Sequence, residues 1–208
     1  MTAMTPEQLV RMLTASAALL GAVCLIVWGV ERLIGRFFPR PAGAAFPVPA
    51  PMRPLAALRL ALVHAPWIIV VTLALSWGCT SAAKALGWEL PRQPLIELLL
   101  GKDTALSVKG IVVLYALVSA PILEELLFRR FLYRACLRLL PVVPATLVSA
   151  AVFAAVHRNL SVLLPILFLG SAFAVIYRRT GRLVAPIAAH VLFNLTNAVL
   201  AFACPELA

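Results

Sequence analysis

Residues 108–134 read VKGIVVLYALVSAPILEELLFRRFLYR, an apolar run into which Glu124, Glu125 and Arg129 are set. The run is long enough to cross a bilayer, because a spanning helix needs about 20 mostly apolar residues. Ionisable groups at membrane depth are costly, so three of them within six positions mark a functional helix by default. The rest of the chain must then supply a lipid-soluble cage around them.

Composition agrees with that demand. The 208 residues are 63% hydrophobic and 12% charged, with a mean hydropathy of +1.01. Soluble domains carry about twice that share of charge, so the chain reads as an integral membrane protein. The net charge of +10 does not indicate nucleic acid, because the basic residues sit in short clusters at the ends of apolar runs. Cys24, Cys79, Cys136 and Cys204 are scattered singly and read as small packing residues. Before the first apolar run there is only Arg11, and no clear cleavage signal follows it, so this run reads as a span and not as a signal peptide.

The pattern predicts an all-α, polytopic bundle of about six spans, at 12–33, 59–83, 108–134, 142–158, 161–178 and 183–204. The fourth is short for a span, and the third is long enough to protrude or tilt. Six prolines between Pro39 and Pro54 forbid helix there and predict an extended tether. Segment 91–101 reads as a short helix at the membrane interface. The chain thus divides into an N-terminal span with its tether (1–57), a second span with its loop (58–107), and a core carrying the polar motifs (108–204).

Charge orients the bundle. Arg32, Arg36, Arg40, Arg53 and Arg59 flank the first loop, Arg129, Arg130, Arg134 and Arg138 close the third span, and Arg178, Arg179 and Arg182 fill the fifth loop. These loops share one side, which the positive-inside rule makes cytoplasmic in a cell membrane, with both termini facing away.

Three spans contribute polar groups at helical spacing. Glu125 and Arg129 are four apart and can pair along one face, while Glu124 lies about 100° around the helix. Ser149, Phe153 and His157 form one stripe in the fourth span, and His190 and Asn194 share a face in the sixth. Convergent Glu124, His157, His190 and Asn194 suit amide hydrolysis. Glu124 would act as general base, His157 would pass a proton to the leaving amine, and His190 and Asn194 would donate to the oxyanion. Glu125 and Arg129 would brace the helix. The same residues admit a second reading, in which Glu124, His157 and His190 bind a catalytic zinc. Spacing does not choose between them.

These motifs resemble those of the CPBP family of intramembrane proteases, also called Abi or CAAX-protease-like, which includes the type II CAAX prenyl endopeptidases. Glu-Glu-x-x-x-Arg with its Ala-Pro lead-in matches Ala120-Pro121 and Glu124-Glu125-x-x-x-Arg129. Phe-x-x-x-His matches Phe153 and His157, and His-x-x-x-Asn matches His190 and Asn194, with Thr180-Gly181 before it. Arg130 departs from the family's usual glycine. The resemblance covers about residues 108–200. It implies an intramembrane endopeptidase acting on a membrane-associated or lipid-linked protein or peptide, in contact with membrane lipid and without nucleic acid. It ranks a glutamate-activated water, needing no cofactor, above the zinc-dependent metalloprotease with which the family is usually labelled. Two other classes share the residues. One is a proton- or ion-coupled transporter, which calls for repeat symmetry the sequence lacks. The other is a non-catalytic relative with a protective, immunity or scaffold role.

Overall fold

The computed structural model describes residues 48–88, 94–159 and 162–204, with scattered positions between Glu7 and Arg36. The first expected span, 12–33, and the tether before Val48 fall outside the continuously described residues. Within them the elements are α1 (Pro54–Ala85), α2 (Pro94–Leu100), α3 (Leu106–Leu139), α4 (Val142–Val156), α5 (Leu163–Thr180) and α6 (Val184–Ala203), with no strand. Helices α1, α3, α5 and α6 are long and apolar enough to cross a membrane, and α4 is a shorter apolar helix. The chain is an all-α integral membrane protein.

Local chemistry explains where the helices begin and end. Helix α1 starts five residues before the expected position because Pro54 stands in its first turn, where the missing N–H has no partner to lose. Helix α3 extends past Arg134 and stops at Leu140, whose extended backbone (φ −127°, ψ 151°) is what a residue before proline prefers. At ~1.5 Å per residue its 34 residues reach roughly 50 Å, well beyond a hydrocarbon core of about 30 Å. The expected interfacial segment is the short helix α2.

Packing relies on small residues. Ala57, Ala61 and Ala65 recur every four positions on α1 and are almost completely buried. They let α1 approach Leu169, Phe173 and Ile176 of α5 and Ala185 and Ala189 of α6. Between helices in lipid the gain comes from close van der Waals contact, and small residues permit it. The opposite face of α1, with Val63, Trp67, Val70 and Trp77, is exposed, as a lipid-facing surface should be.

The described part of the tether, from Val48 to Arg53, is non-helical as expected, but it is not a loose linker. Met52 N–H donates to Thr180 O at 2.9 Å, and Arg182 Nε donates back to Met52 O at 2.7 Å. Gly181, which ends α5 in the left-handed region (φ 64°), lies directly beneath it. A Cβ there would meet Pro49 O and Pro51 Cα at 3.0 Å. Gly181→Ala should therefore lower thermal stability in detergent by about 1–3 kcal/mol, combining left-handed strain with a clash against backbone. A melting temperature equal to wild type would mean the tether does not hold this turn.

Candidate active site

Helix α3 is not a uniform α-helix. Two π-helical stretches, Tyr115–Ser119 and Leu126–Tyr133, flank a short α segment, Ala120–Glu125, that carries both glutamates. The first stretch has an identifiable cause. Ala120 N–H donates to Tyr115 O, five residues back, and the next residue is Pro121, which has no N–H. The Ala116 carbonyl thus loses the donor its register would supply. Asn194 of α6 replaces it, donating from Nδ2 at 2.7 Å. In the second stretch, Ser149 Oγ of α4 donates to Phe128 O at 3.3 Å. Each π segment receives a polar side chain from a neighbouring helix, as such segments do where ladder carbonyls come free.

Arg129 lies just past the glutamates and is almost fully buried. Its Nε is 3.0 Å from Glu125 Oε2, an ion pair without linear hydrogen-bond geometry, and its Nη2 donates to Gly170 O on α5 at 3.2 Å. The guanidinium lies over the rings of Phe153, at 4.5 Å, and Phe173, at 5.4 Å. A charge in this setting needs an opposite charge, carbonyls and π faces in place of water.

Glu125, fully buried, also reaches His190. Its Oε1 is 3.0 Å from His190 Nδ1, so that nitrogen donates and the imidazole is held in one orientation. The other nitrogen, Nε2, lies 3.8 Å from Glu124 Oε2. The two glutamates therefore address opposite sides of one histidine. The expectation that they point apart holds for their directions, but they remain linked through His190. Glu124 is the looser partner: its side chain is 19% exposed, and its Oε2 has no hydrogen-bond partner.

His157 caps the C-terminus of α4 and is exposed, its Nδ1 2.7 Å from Phe153 O. A carbonyl only accepts, so Nδ1 carries the hydrogen and neutral His157 presents Nε2 as an acceptor. Arg158, immediately after it, has φ 52°, a left-handed conformation that non-glycine residues adopt rarely and often at functional positions. Phe153 separates the two histidines, with ring centroids 4.9 Å from His157 and 6.2 Å from His190. Asn194, expected as an oxyanion donor, uses one amide hydrogen on Ala116 and has a second available.

The zinc reading needs Glu124, His157 and His190 around one point. Among the described residues no three His, Cys, Asp or Glu side chains are so arranged, although the Nδ1 bond to Glu125 leaves His190 Nε2 open and is the kind of carboxylate partner a metal-binding histidine uses.

Two site residues lack any motif. Gly170 supplies its carbonyl to Arg129 and leaves no room for a side chain, since a Cβ would fall 2.9 Å from Phe153 Cδ1 and 3.3 Å from Ala150 Cα. A lone glycine inside an apolar helix is a sequence signal for such close packing. Phe173, with its ring centroid 5.0 Å from His190, could not be told from any other core aromatic. Replacing Arg129 with Leu should destabilise the bundle by about 3–5 kcal/mol, because Glu125 is left buried and unpaired. Adding Glu125→Gln should recover part of the loss, read as partial return of the detergent melting temperature. No recovery would contradict the pairing.

Comparison with known proteins finds similarity over the same part of the chain. Residues 107–196, somewhat under half of the chain, match the family described as type II CAAX prenyl endopeptidase Rce1-like. This segment contains every motif residue, from Ala120 to Asn194. The chain is also similar to a Bacillus subtilis (strain 168) protein named "Putative membrane peptidase YdiL", with 34% identity over 84 residues. That match covers 40% of this chain and 34% of the relative, so the chain spans about a third of that relative's length. No solved structure matches the chain significantly.

Proposed function

We propose that this chain is an intramembrane endopeptidase that hydrolyses a peptide bond in a membrane-associated or lipid-linked protein or peptide, a reading supported by the match of residues 107–196 to the Rce1-like family. The relative's name, a membrane peptidase, supports the same reaction class. The observation that carries the reading is the contrast between the two glutamates. Glu125 is fully buried and held at 3.0 Å by both Arg129 and His190, whereas Glu124 is 19% exposed and has only a 3.8 Å approach from its Oε2 to His190 Nε2. One carboxylate is a brace. The other is available for chemistry.

In this mechanism Glu124 takes a proton from water, and the resulting hydroxide attacks the scissile carbonyl carbon. With both carboxylates ionised and His190 neutral, Glu124, Glu125, Arg129 and His190 together carry one net negative charge. The proton taken from water makes the set neutral. Residing on His190 Nε2, it turns that nitrogen into a donor for the oxyanion, with Glu125 holding the ring through Nδ1. The second hydrogen of Asn194 Nδ2 is a further donor. The leaving amine needs a proton as the C–N bond breaks. His157 Nε2, unprotonated because Nδ1 donates to Phe153 O, takes the hydroxyl proton of the tetrahedral intermediate and passes it to the amine, and the proton held on His190 is released to water to restore the site.

Glu124→Gln and His157→Ala should each reduce client cleavage by at least about 100-fold, the scale of a lost general base or acid. Melting temperatures should stay near wild type. The assay compares protein termini in membranes carrying wild type or variant, and cleavage persisting in both variants would overturn the mechanism. Cleavage should also survive a strong chelator. Its loss, restored by zinc, would assign the base role to a metal-bound water instead.

A further inference from the structure

Between Glu125 and Glu206 the chain holds eight arginines and neither aspartate nor glutamate. Arg129 is buried against Glu125. Arg130, Arg134, Arg138, Arg178, Arg179 and Arg182 gather at the end of the bundle where α3 and α5 finish, as the charge bias of the loops requires. Arg158 remains. It lies in the turn between α4 and α5, directly after His157.

Helices α3 and α4 meet at Leu140 and Pro141, and at ~1.5 Å per residue Glu124 and the C-terminus of α4 both lie about 22 Å from that junction. Helix α3 then continues roughly 27 Å past Glu124 to Leu106. The turn therefore sits at the level of the glutamates and not at the far end of the bundle, so headgroup anchoring does not account for its cation. His157 and Arg158 donate their backbone N–H to Ala154 O at 3.2 Å and Ala155 O at 3.1 Å, tightening the last turn of α4. Among the described residues Arg158 is then the one non-glycine in the left-handed region, at φ 52°. Glycine or asparagine would suit that backbone better, yet the position carries a long cation. Its side chain is exposed, and no carboxylate pairs with it among the described residues.

We propose that Arg158 binds a carboxylate of the client on the leaving side of the scissile bond, and so selects acidic clients. This deepens the peptidase reading and rests on it for the choice of side. His157 delivers the proton to the departing amine, and consecutive Cα atoms are only ~3.8 Å apart, so Arg158 stands beside the leaving segment. In an extended client, at ~3.3 Å per residue, the carboxylate lies within about three residues of the cut. A guanidinium is always charged and can grip a carboxylate by two parallel hydrogen bonds. Before reaction Glu124, Glu125, Arg129 and His190 carry one net negative charge, which repels an acidic client, and Arg158 offsets it. The carboxylate is either an Asp or Glu side chain or the client's own C-terminus.

Two measurements on the full chain in neutral detergent test it, both with a pool of N-palmitoylated peptides of randomised sequence, made with free or amidated C-termini. In the first, mass spectrometry reads which peptides are cut. Wild type should favour Asp or Glu within about three residues after the cut, or require the free C-terminus, and which one appears identifies the carboxylate. Arg158→Gln should weaken that preference roughly fivefold or more while neutral peptides are cut as before, and Arg158→Lys should keep most of it. Arg158→Glu should turn the preference toward Lys and Arg, and Arg179→Gln, exposed at the opposite end, should leave it unchanged. The second measurement reads binding without cleavage, as the peptides retained by Glu124→Gln and by Glu124→Gln/Arg158→Gln. Acidic peptides should be enriched on the first and not on the second. Such enrichment without any cutting by wild type would overturn the peptidase reading and leave the carboxylate site standing. No acidic preference in either measurement, or an equal loss of acidic and neutral peptides in Arg158→Gln, would overturn the site.

Discussion

A guanidinium buried in an apolar bundle sets the terms for everything around it. Arg129 cannot be hydrated where it lies, so its charge must be met by protein. Glu125 meets it from one turn earlier, Gly170 O from α5, and the rings of Phe153 and Phe173 from two further directions. These groups come from three helices, and each is in place only if those helices pack closely. The lack of room at Gly170 follows from the same demand. Glu125 then extends the network to α6 through His190, so the ion pair that stabilises the bundle also orients the histidine facing Glu124.

The irregularity of α3 belongs to this arrangement. A proline inside a long apolar helix frees a carbonyl, and in lipid a free carbonyl is expensive. Here the cost is met by Asn194, which joins α6 to α3 on the N-terminal side of the glutamates. Ser149 makes the corresponding link from α4 on the other side. The α segment with Glu124 and Glu125 is thus held at both ends by polar cross-links between helices. Such links are worth only about 0.6–2 kcal/mol each in membranes, so their value here is positional more than energetic.

Much of the site was legible from spacing. The four-residue interval between Glu125 and Arg129 is enough to predict their pairing. His157, His190 and Asn194 stood out because polar groups are rare in apolar helices. The double engagement of His190 was not legible, because it depends on how α6 is rotated against α3. Asn194 reads from sequence as a donor to a reaction intermediate, and its bond to Ala116 follows only once Pro121 is known to displace the backbone ladder. The proline-rich tether reads as extended, which it is where described, but its docking on Gly181 and Arg182 needs contacts across about 130 residues of chain.

The sequence by itself determined that this is a helical membrane protein, where most of its described helices lie, and which few side chains carry charge inside it. Those properties follow from local rules, because hydropathy, helical period and the cost of burying charge act over one or two turns. Only the tertiary structure decided that both glutamates meet the same histidine, and from which side each does so. The four-residue spacing already sets Glu125 toward Arg129 and Glu124 about 100° away, but no local rule places a side chain of another helix between them. His190 comes from α6, gives Glu125 a second contact at 3.0 Å and leaves Glu124 only a 3.8 Å approach to its other nitrogen.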